Sequence, residues 1–280
     1  MNTINEWLGW GAKELKDVKE SQILLAHCLK VSREHLIAWP EKNIDPNAAI
    51  LFQELISKRK QHQPIAYLVG EKEFWSLPFK VSKHTLIPRP ETEHLIEAIL
   101  NKIPDGQFTV VDIGTGSGAI ACSLASERPG WTIFATDASA LALETARWNA
   151  INLNLNLNHI QFIQTHWMQA LSENALDLVV SNPPYIRSND PALIEGDLPY
   201  EPNNALVGGE SGLEAYLEII EQSKARLKKG GLIAFEHGFD QALDLRTLLK
   251  ENGFIDIETI QDLAGSDRVT MGIKTICHHN

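Results

Sequence analysis

The chain has 280 residues, enough for one large domain or two ordinary ones, and its 44% hydrophobic and 22% charged content is that of a globular protein able to bury a core unaided. No apolar run approaches the ~18 residues of a membrane span, and residues 1–17 lack the basic start and apolar stretch of a secretory signal. A formal net charge of −11 weighs against a protein that lives on nucleic acid phosphates, where a basic field supplies most of the affinity.

Residues 1–73 read as helical, with apolar residues at three- and four-residue spacing in "SQILLAHCLK" and "NAAILFQELISKRKQ" and breaks at Pro40, Pro46 and Pro64. Within them "KRKQH" at 58–62 is a local basic run, read as a solvated helix face. Residues 74–89 turn aromatic and β-branched, the signal of a short strand pair acting as a connector. A helix opens at Pro90, which suits a first helical position, with Glu91 and Glu93 at the positive end of its dipole.

From Phe108 strands and helices alternate. Strands are predicted near 108–113, 131–136, 160–164, 176–181, 231–236, 254–260 and 268–275, and helices near 118–127, 139–151, 213–228 and 240–250. Such alternation implies a mostly parallel sheet covered on both faces. Only "QDLAGSDR" separates the last two strands, too short for a crossover, so they should close the sheet as an antiparallel hairpin. "NLNLNLN" at 152–158 alternates like a strand, but asparagine suits a helix end and turn better.

"TVVDIGTGSGAIACSLA" is a strand, a glycine turn and a helix start. Gly114, Gly116 and Gly118 permit positive φ and close approach of a ligand to the backbone. Asp137 ends the next strand, where a carboxylate can accept from both hydroxyls of a ribose. The pair reads as a nucleoside site; a tight turn beside a surface aspartate is the plainer alternative. "GTGSGA" also satisfies a nicotinamide dinucleotide pattern, which stays open on this motif. The closing antiparallel hairpin favours a methyltransferase.

The strand at 176–181 runs into Asn182-Pro183-Pro184-Tyr185. As fourth strand of the sheet it should end beside the glycine loop, at the switch point where open α/β sheets bind ligands. An amide nitrogen is a poor nucleophile because its lone pair is delocalised. The Asn182 side-chain oxygen and the Pro183 backbone carbonyl offer two acceptors for the two N–H bonds of one –NH₂ group. Each proline stiffens the residue before it, and Tyr185 offers a ring to the planar amide. Read alone, the tetrapeptide is equally a strand terminator with a packed tyrosine.

Those four residues resemble the motif of enzymes that methylate planar –NH₂ groups with S-adenosylmethionine. With "QPIAYLVGEKEFWSLPFKVSKHTLIPRPETE", "VVDIGTGSGAIA", "LPYEPNNALVGGESGLEAY" and "DLAGSDRV", the chain resembles the peptide chain release factor glutamine methyltransferase family. The resemblance implies an α/β fold: a seven-stranded Rossmann-like class I methyltransferase domain over 90–280, preceded by a helical substrate-recognition domain over 1–73 and a β-hairpin linker over 74–89. It implies methylation of the Gly-Gly-Gln glutamine of bacterial release factors 1 and 2, with S-adenosyl-L-methionine as donor and S-adenosyl-L-homocysteine as product. Gly114, Thr115, Gly116, Ser117 and Gly118 would flank the methionine part of the donor, Asp137 its ribose and Trp167 its adenine. Asn182, Pro183, Pro184 and Tyr185 would hold the glutamine, with Asn182 also near the donor and Asn182, Pro183 and Tyr185 catalytic. His166 departs from the family, which carries an aspartate before the tryptophan; a neutral imidazole would accept from the adenine amine more weakly, making donor affinity pH-dependent.

A ribosomal protein glutamine methyltransferase shares the catalytic motif, and a nucleic acid adenine methyltransferase would need a basic cleft around it. A monomer is expected, acting on protein without contact to nucleic acid or membrane. Three distant cysteines, Cys28, Cys122 and Cys277, argue against disulfides and a zinc site and for the cytoplasm. The terminal "CHHN" reads as a frayed tail, so no metal is expected. Glu236 ends a strand near the site, where it could act on it electrostatically; a surface or hydrogen-bonded carboxylate is the plainer reading.

Overall fold

The computed structural model describes residues 1–275 and divides into two compact units; Cys277 and the rest of "CHHN" lie outside the described residues. The first unit holds residues 1–71 together with Glu195–Tyr200. Its helices are α1 (Ile4–Leu15), α2 (Val18–Leu29), α3 (Arg33–Ala38), α4 (Pro46–Lys60) and α5 (Ile65–Val69). Local chemistry sets their starts. Thr3 and Glu6 form a capping box on α1, Asp17, Ser32 and Asp45 cap the next three, and Pro46 takes the first position of α4. Apolar stripes meet in a core containing Trp7, Leu24, Leu25, Leu36, Phe52 and Ile56.

The basic run of this unit is neutralised by its neighbours. Arg59 donates to Glu20 at 2.7 and 2.8 Å and to Asp197 at 2.6 Å, and Lys60 to Glu14 at 2.6 Å. Those pairings leave little of the stretch to attract phosphates.

The second unit opens on a hairpin, β1 (Glu71–Phe74) and β2 (Leu77–Lys80), and α6 (Thr92–Lys102). There follow β3 (Thr109–Ile113), α7 (Ala119–Glu127), β4 (Thr132–Asp137), α8 (Ala140–Asn152), β5 (Ile160–Gln164) and β6 (Leu176–Ser181). The chain closes with α9 (Asn203–Leu206), α10 (Glu214–Arg226), β7 (Leu227–Glu236), α11 (Ala242–Glu251), β8 (Phe254–Gln261) and β9 (Asp267–Lys274). The seven-stranded sheet has the order β5-β4-β3-β6-β7-β9-β8. It is parallel as far as β7; β9 then joins antiparallel and β8 pairs with it, the expected closing hairpin. Alternate residues of each strand serve opposite cores: Val110 and Leu178 pack with α6 and α7, Val111 and Val179 with α10 and α11.

Three boundaries differ from expectation. The strand pair read over 74–89 is the hairpin of Glu71–Phe74 and Leu77–Lys80, and residues 81–90 continue as turns without a strand. The helix expected from Pro90 starts at Thr92, because Pro90 and Glu91 form a preceding turn in which Glu93 donates to the Pro90 carbonyl at 3.1 Å. The strand expected from 231 begins at Leu227: Leu176 pairs with Leu227 before a register shift, which lets the polar stretch at Lys228–Gly231 stay in the sheet. The 152–158 stretch is a helix end and turns, as its asparagines require.

Candidate active site

β3 and β6 lie side by side with Ile113 opposite Ser181, and the Ser181 hydroxyl donates to the Ile113 carbonyl at 2.8 Å. Neighbouring strands are about 4.8 Å apart, so Gly114 and Asn182, the next residue on each, emerge together. Both line one cavity of about 410 Å³ at the carboxyl ends of the strands, with Gly116, Asp137, Trp167 and Pro184.

The glycine loop divides into an open face and an anchored one. Gly114 and Gly116 face the cavity with φ of 68° and 57°. Thr115, Ser117 and Gly118 are instead turned into the protein. The Thr115 hydroxyl donates to Asp112 Oδ2 at 2.6 Å, the Ser117 carbonyl accepts from Asn149 at 2.8 Å, and a Cβ on Gly118 would stand 3.0 Å from that of Ala146. Asp112 also accepts from the Ala121 N–H at 3.1 Å, and burial pushes its carboxyl up to about 7. These contacts hold the loop rigid from below.

Asp137 Oδ2 accepts from the Gly116 N–H at 2.9 Å and Oδ1 from the Ser139 N–H at 2.8 Å. Each oxygen keeps a lone pair for a further donor. Burial raises this carboxyl above the ordinary aspartate value against the pull of those backbone bonds. Farther along the wall, Trp167 Nε1 donates to Glu218 at 2.9 Å, and His166 Nε2 meets the same oxygen at 2.8 Å. The hydrogen bond from His166, then that from Trp167, holds the Glu218 carboxyl below its usual range. The departure at His166 is thus accompanied by a carboxylate from α10.

Of the four residues at 182–185, Asn182 and Pro184 line the cavity, while Pro183 is buried and Tyr185 packs inward against the core of Val111, Phe235 and Tyr216. Burial raises the Tyr185 phenol above its ordinary value. The turn is pressed from outside by Gly208, where a Cβ would come 2.4 Å from the Pro184 carbonyl oxygen and 2.8 Å from Tyr185 Cα. Gln241 fixes the far end by donating to the Tyr185 carbonyl at 3.1 Å.

Residues the sequence reading did not assign to the site complete it. Asn182 Nδ2 donates to the Thr92 hydroxyl at 3.2 Å. Glu236 at the end of β7 is a buried carboxyl, not a surface one, and Thr92 and Asn182 are polar neighbours that favour its ionised form. Glu201, also buried, accepts from the Ile87 N–H at 3.0 Å and pairs with Arg89, bracing the segment that delivers Thr92. Strand position was the one available signal for Glu236; Thr92 and Glu201 carried none. Among the described residues no group of side chains could hold a metal ion, and no helix is long and apolar enough to cross a membrane.

Comparison with known proteins bears on this arrangement. The chain is 42% identical over 274 residues to the release factor glutamine methyltransferase of Shewanella oneidensis, covering 96% of this chain and 95% of that one. It is 41% identical over 254 residues to the enzyme of that name from Escherichia coli, covering 91% of each. The chain belongs to the release factor glutamine methyltransferase family. Residues 6–70 match the PrmC N-terminal domain and residues 90–195 the methyltransferase small domain. A methyltransferase from Pyrococcus furiosus shares the fold, with a TM-score of 0.54 at 21% identity over 80% of this chain and 98% of that one.

Proposed function

We propose that this chain methylates the side-chain amide nitrogen of the glutamine in the Gly-Gly-Gln loop of bacterial release factors 1 and 2. Its family membership makes it an S-adenosylmethionine-dependent protein-glutamine methyltransferase whose substrates are release factors. The observation that carries the reading is the pairing of Ile113 with Ser181, which brings the bare Gly114 backbone and the Asn182 carboxamide to one cavity.

The residues present fit the donor. Asp137 has lone pairs to spare for ribose hydroxyls, Gly114 and Gly116 expose backbone without side chains, and Trp167 supplies an aromatic wall for a purine. When bound, S-adenosylmethionine supplies an electrophilic methyl on a sulfonium sulfur. The chain does the rest by orientation. Asn182 Oδ1 accepts one N–H of the glutamine amide and the Pro183 carbonyl the other, which fixes the nitrogen and favours the positive charge it gains. Pro183 and Pro184 remove slack from both acceptors. Tyr185, which packs against the core and does not line the cavity, supports the turn from the core side. The methylated nitrogen loses a proton to water, so no strong general base is needed.

The helical unit is read as the release factor recognition domain. The chain is read as a monomer of the bacterial cytoplasm, where the buried unpaired thiols of Cys28 and Cys122 suit a reducing medium. The test is intact-mass measurement after incubation with donor and each purified substrate. A release factor should gain one methyl, lost when its Gly-Gly-Gln glutamine is replaced. An unmodified release factor beside a modified ribosomal protein would overturn the reading, as would methyl transfer to oligonucleotides with equal efficiency.

A further inference from the structure

The Asn182 carboxamide has two ends, and the structure ties down one of them. The nitrogen donates to Thr92 Oγ1, and the buried Glu236 carboxyl has both Thr92 and Asn182 as polar neighbours. The geometry is a consequence of register: Ser181 sits opposite Phe235, so Asn182 and Glu236 follow on adjacent strands. Glu236 is 1% exposed, and its Oε2 has no hydrogen-bond partner among the described residues. A carboxylate removed from water and short of a partner is destabilising. Core packing would be served as well by an apolar residue.

The charged and titratable groups around Glu236 come from several elements. They are Glu91 before α6, Arg268 on β9, Tyr185 after β6 and Tyr216 on α10, whose hydroxyl donates to the Glu236 backbone carbonyl at 2.8 Å. Arg268 is the cation among them, and it is engaged with Asp262 at 3.0 Å. Thr92 and Asn182 are therefore the uncharged groups beside Glu236 that can donate to it.

The two ends of an amide are nearly isosteric, so shape cannot choose between them; hydrogen-bond partners must. A threonine hydroxyl donates or accepts and accommodates either end. A carboxylate only accepts, and it forces the choice. We propose that Glu236 is a positioning residue for methyl transfer, which holds the Asn182 nitrogen inward with Thr92 and so leaves the Asn182 carbonyl oxygen facing the cavity. The inference rests on the reading of Asn182 as an acceptor for the substrate amide. Burial pushes the Glu236 carboxyl up to about 7, with the hydrogen bond from Thr92 and the charge of Arg268 opposing. Above that pH it is ionised and imposes the orientation. Below it the protonated acid is itself a donor, and the Asn182 oxygen can turn inward.

Orientation and turnover are measured separately. In the full-length enzyme with bound S-adenosylhomocysteine, the side-chain NH₂ resonances of Asn182 should titrate with a midpoint near 7. They should be flat with pH in Glu236→Gln. With release factor as substrate, Glu236→Ala should lower kcat about 100-fold while the donor KM stays within about twofold. Glu236→Gln keeps a carbonyl acceptor; it should hold kcat within about tenfold and lose the acid limb of the pH–rate profile. Thr92→Val should cost about tenfold in kcat. Wild-type kcat in Glu236→Ala, or an acid limb that persists in Glu236→Gln, overturns the proposal. If Glu236→Ala does not fold, the glutamine and valine variants decide it by the same criteria. If the wild-type enzyme leaves release factors unmethylated, the functional reading has failed, and the Asn182 titration still shows whether Glu236 sets that side chain.

Discussion

On the proposed reading Asn182 serves the substrate amide and Asp137 the donor, and single substitutions should separate them. On that reading Asn182→Ala removes an acceptor for the reacting amide, so kcat should fall about 100-fold or more, with donor affinity by calorimetry much less affected. Asp137→Ala removes the carboxylate that faces the donor site; it should weaken donor binding by roughly 10- to 100-fold and leave kcat at saturating donor much closer to wild type. That both line one cavity was legible because their signals are local: a glycine turn, an acidic strand end, an amide before two prolines. Thr92 was not, and Glu236 was legible only as a strand-end carboxylate near the site, not as a buried one. Thr92 meets Asn182 across 90 residues of chain, through a contact created by the packing of α6 and β7 on the sheet, and neither residue type is unusual where it stands.

The turn after β6 is held by a distant glycine segment. Gly208 exists to admit the Pro184 carbonyl, and its methyl-bearing replacement would overlap that oxygen at 2.4 Å. Gly208→Ala should therefore displace the 182–185 turn and destabilise the fold by about 1–3 kcal/mol, with kcat lost more steeply than stability as judged by denaturant unfolding beside steady-state kinetics. A strained but active variant would mean that the turn tolerates movement. At this scale the alternation of strands and helices, and the final hairpin, could be read from periodicity. The early start of β7 could not: Lys228, Lys229, Gly230 and Gly231 look like a loop, and they enter the sheet only because Leu227 finds Leu176.

Two fully buried carboxyls, Asp112 and Glu236, give the whole molecule an unusual pH response. Burial raises both to about 7 in the folded state, against about 4 for an unfolded carboxyl. Between those values the folded state binds more protons than the unfolded one. Stability carried by these groups is thus present at low pH and declines as pH rises through about 7, opposite to the trend of an ion-paired carboxylate. The unfolding free energy, from denaturant titrations between pH 5 and 8, should fall less with pH in a Glu236→Gln variant than in wild type, by at most about 1.4 kcal/mol per pH unit; identical slopes would show that Glu236 is ionised throughout. Composition foretold a globular fold, but it holds no trace of which carboxylates end up dry.

Gly114, Asp137, Asn182 and Glu236 follow or end β3, β4, β6 and β7 on the same rim of the sheet. The turns at the opposite rim, around 128–130, 156–159 and 172–175, line no part of that cavity. A survey of accepted substitutions should therefore be polarised along the strand axis, permissive at one pole and intolerant at the other, so that the chain can drift at its base while its chemistry stays fixed.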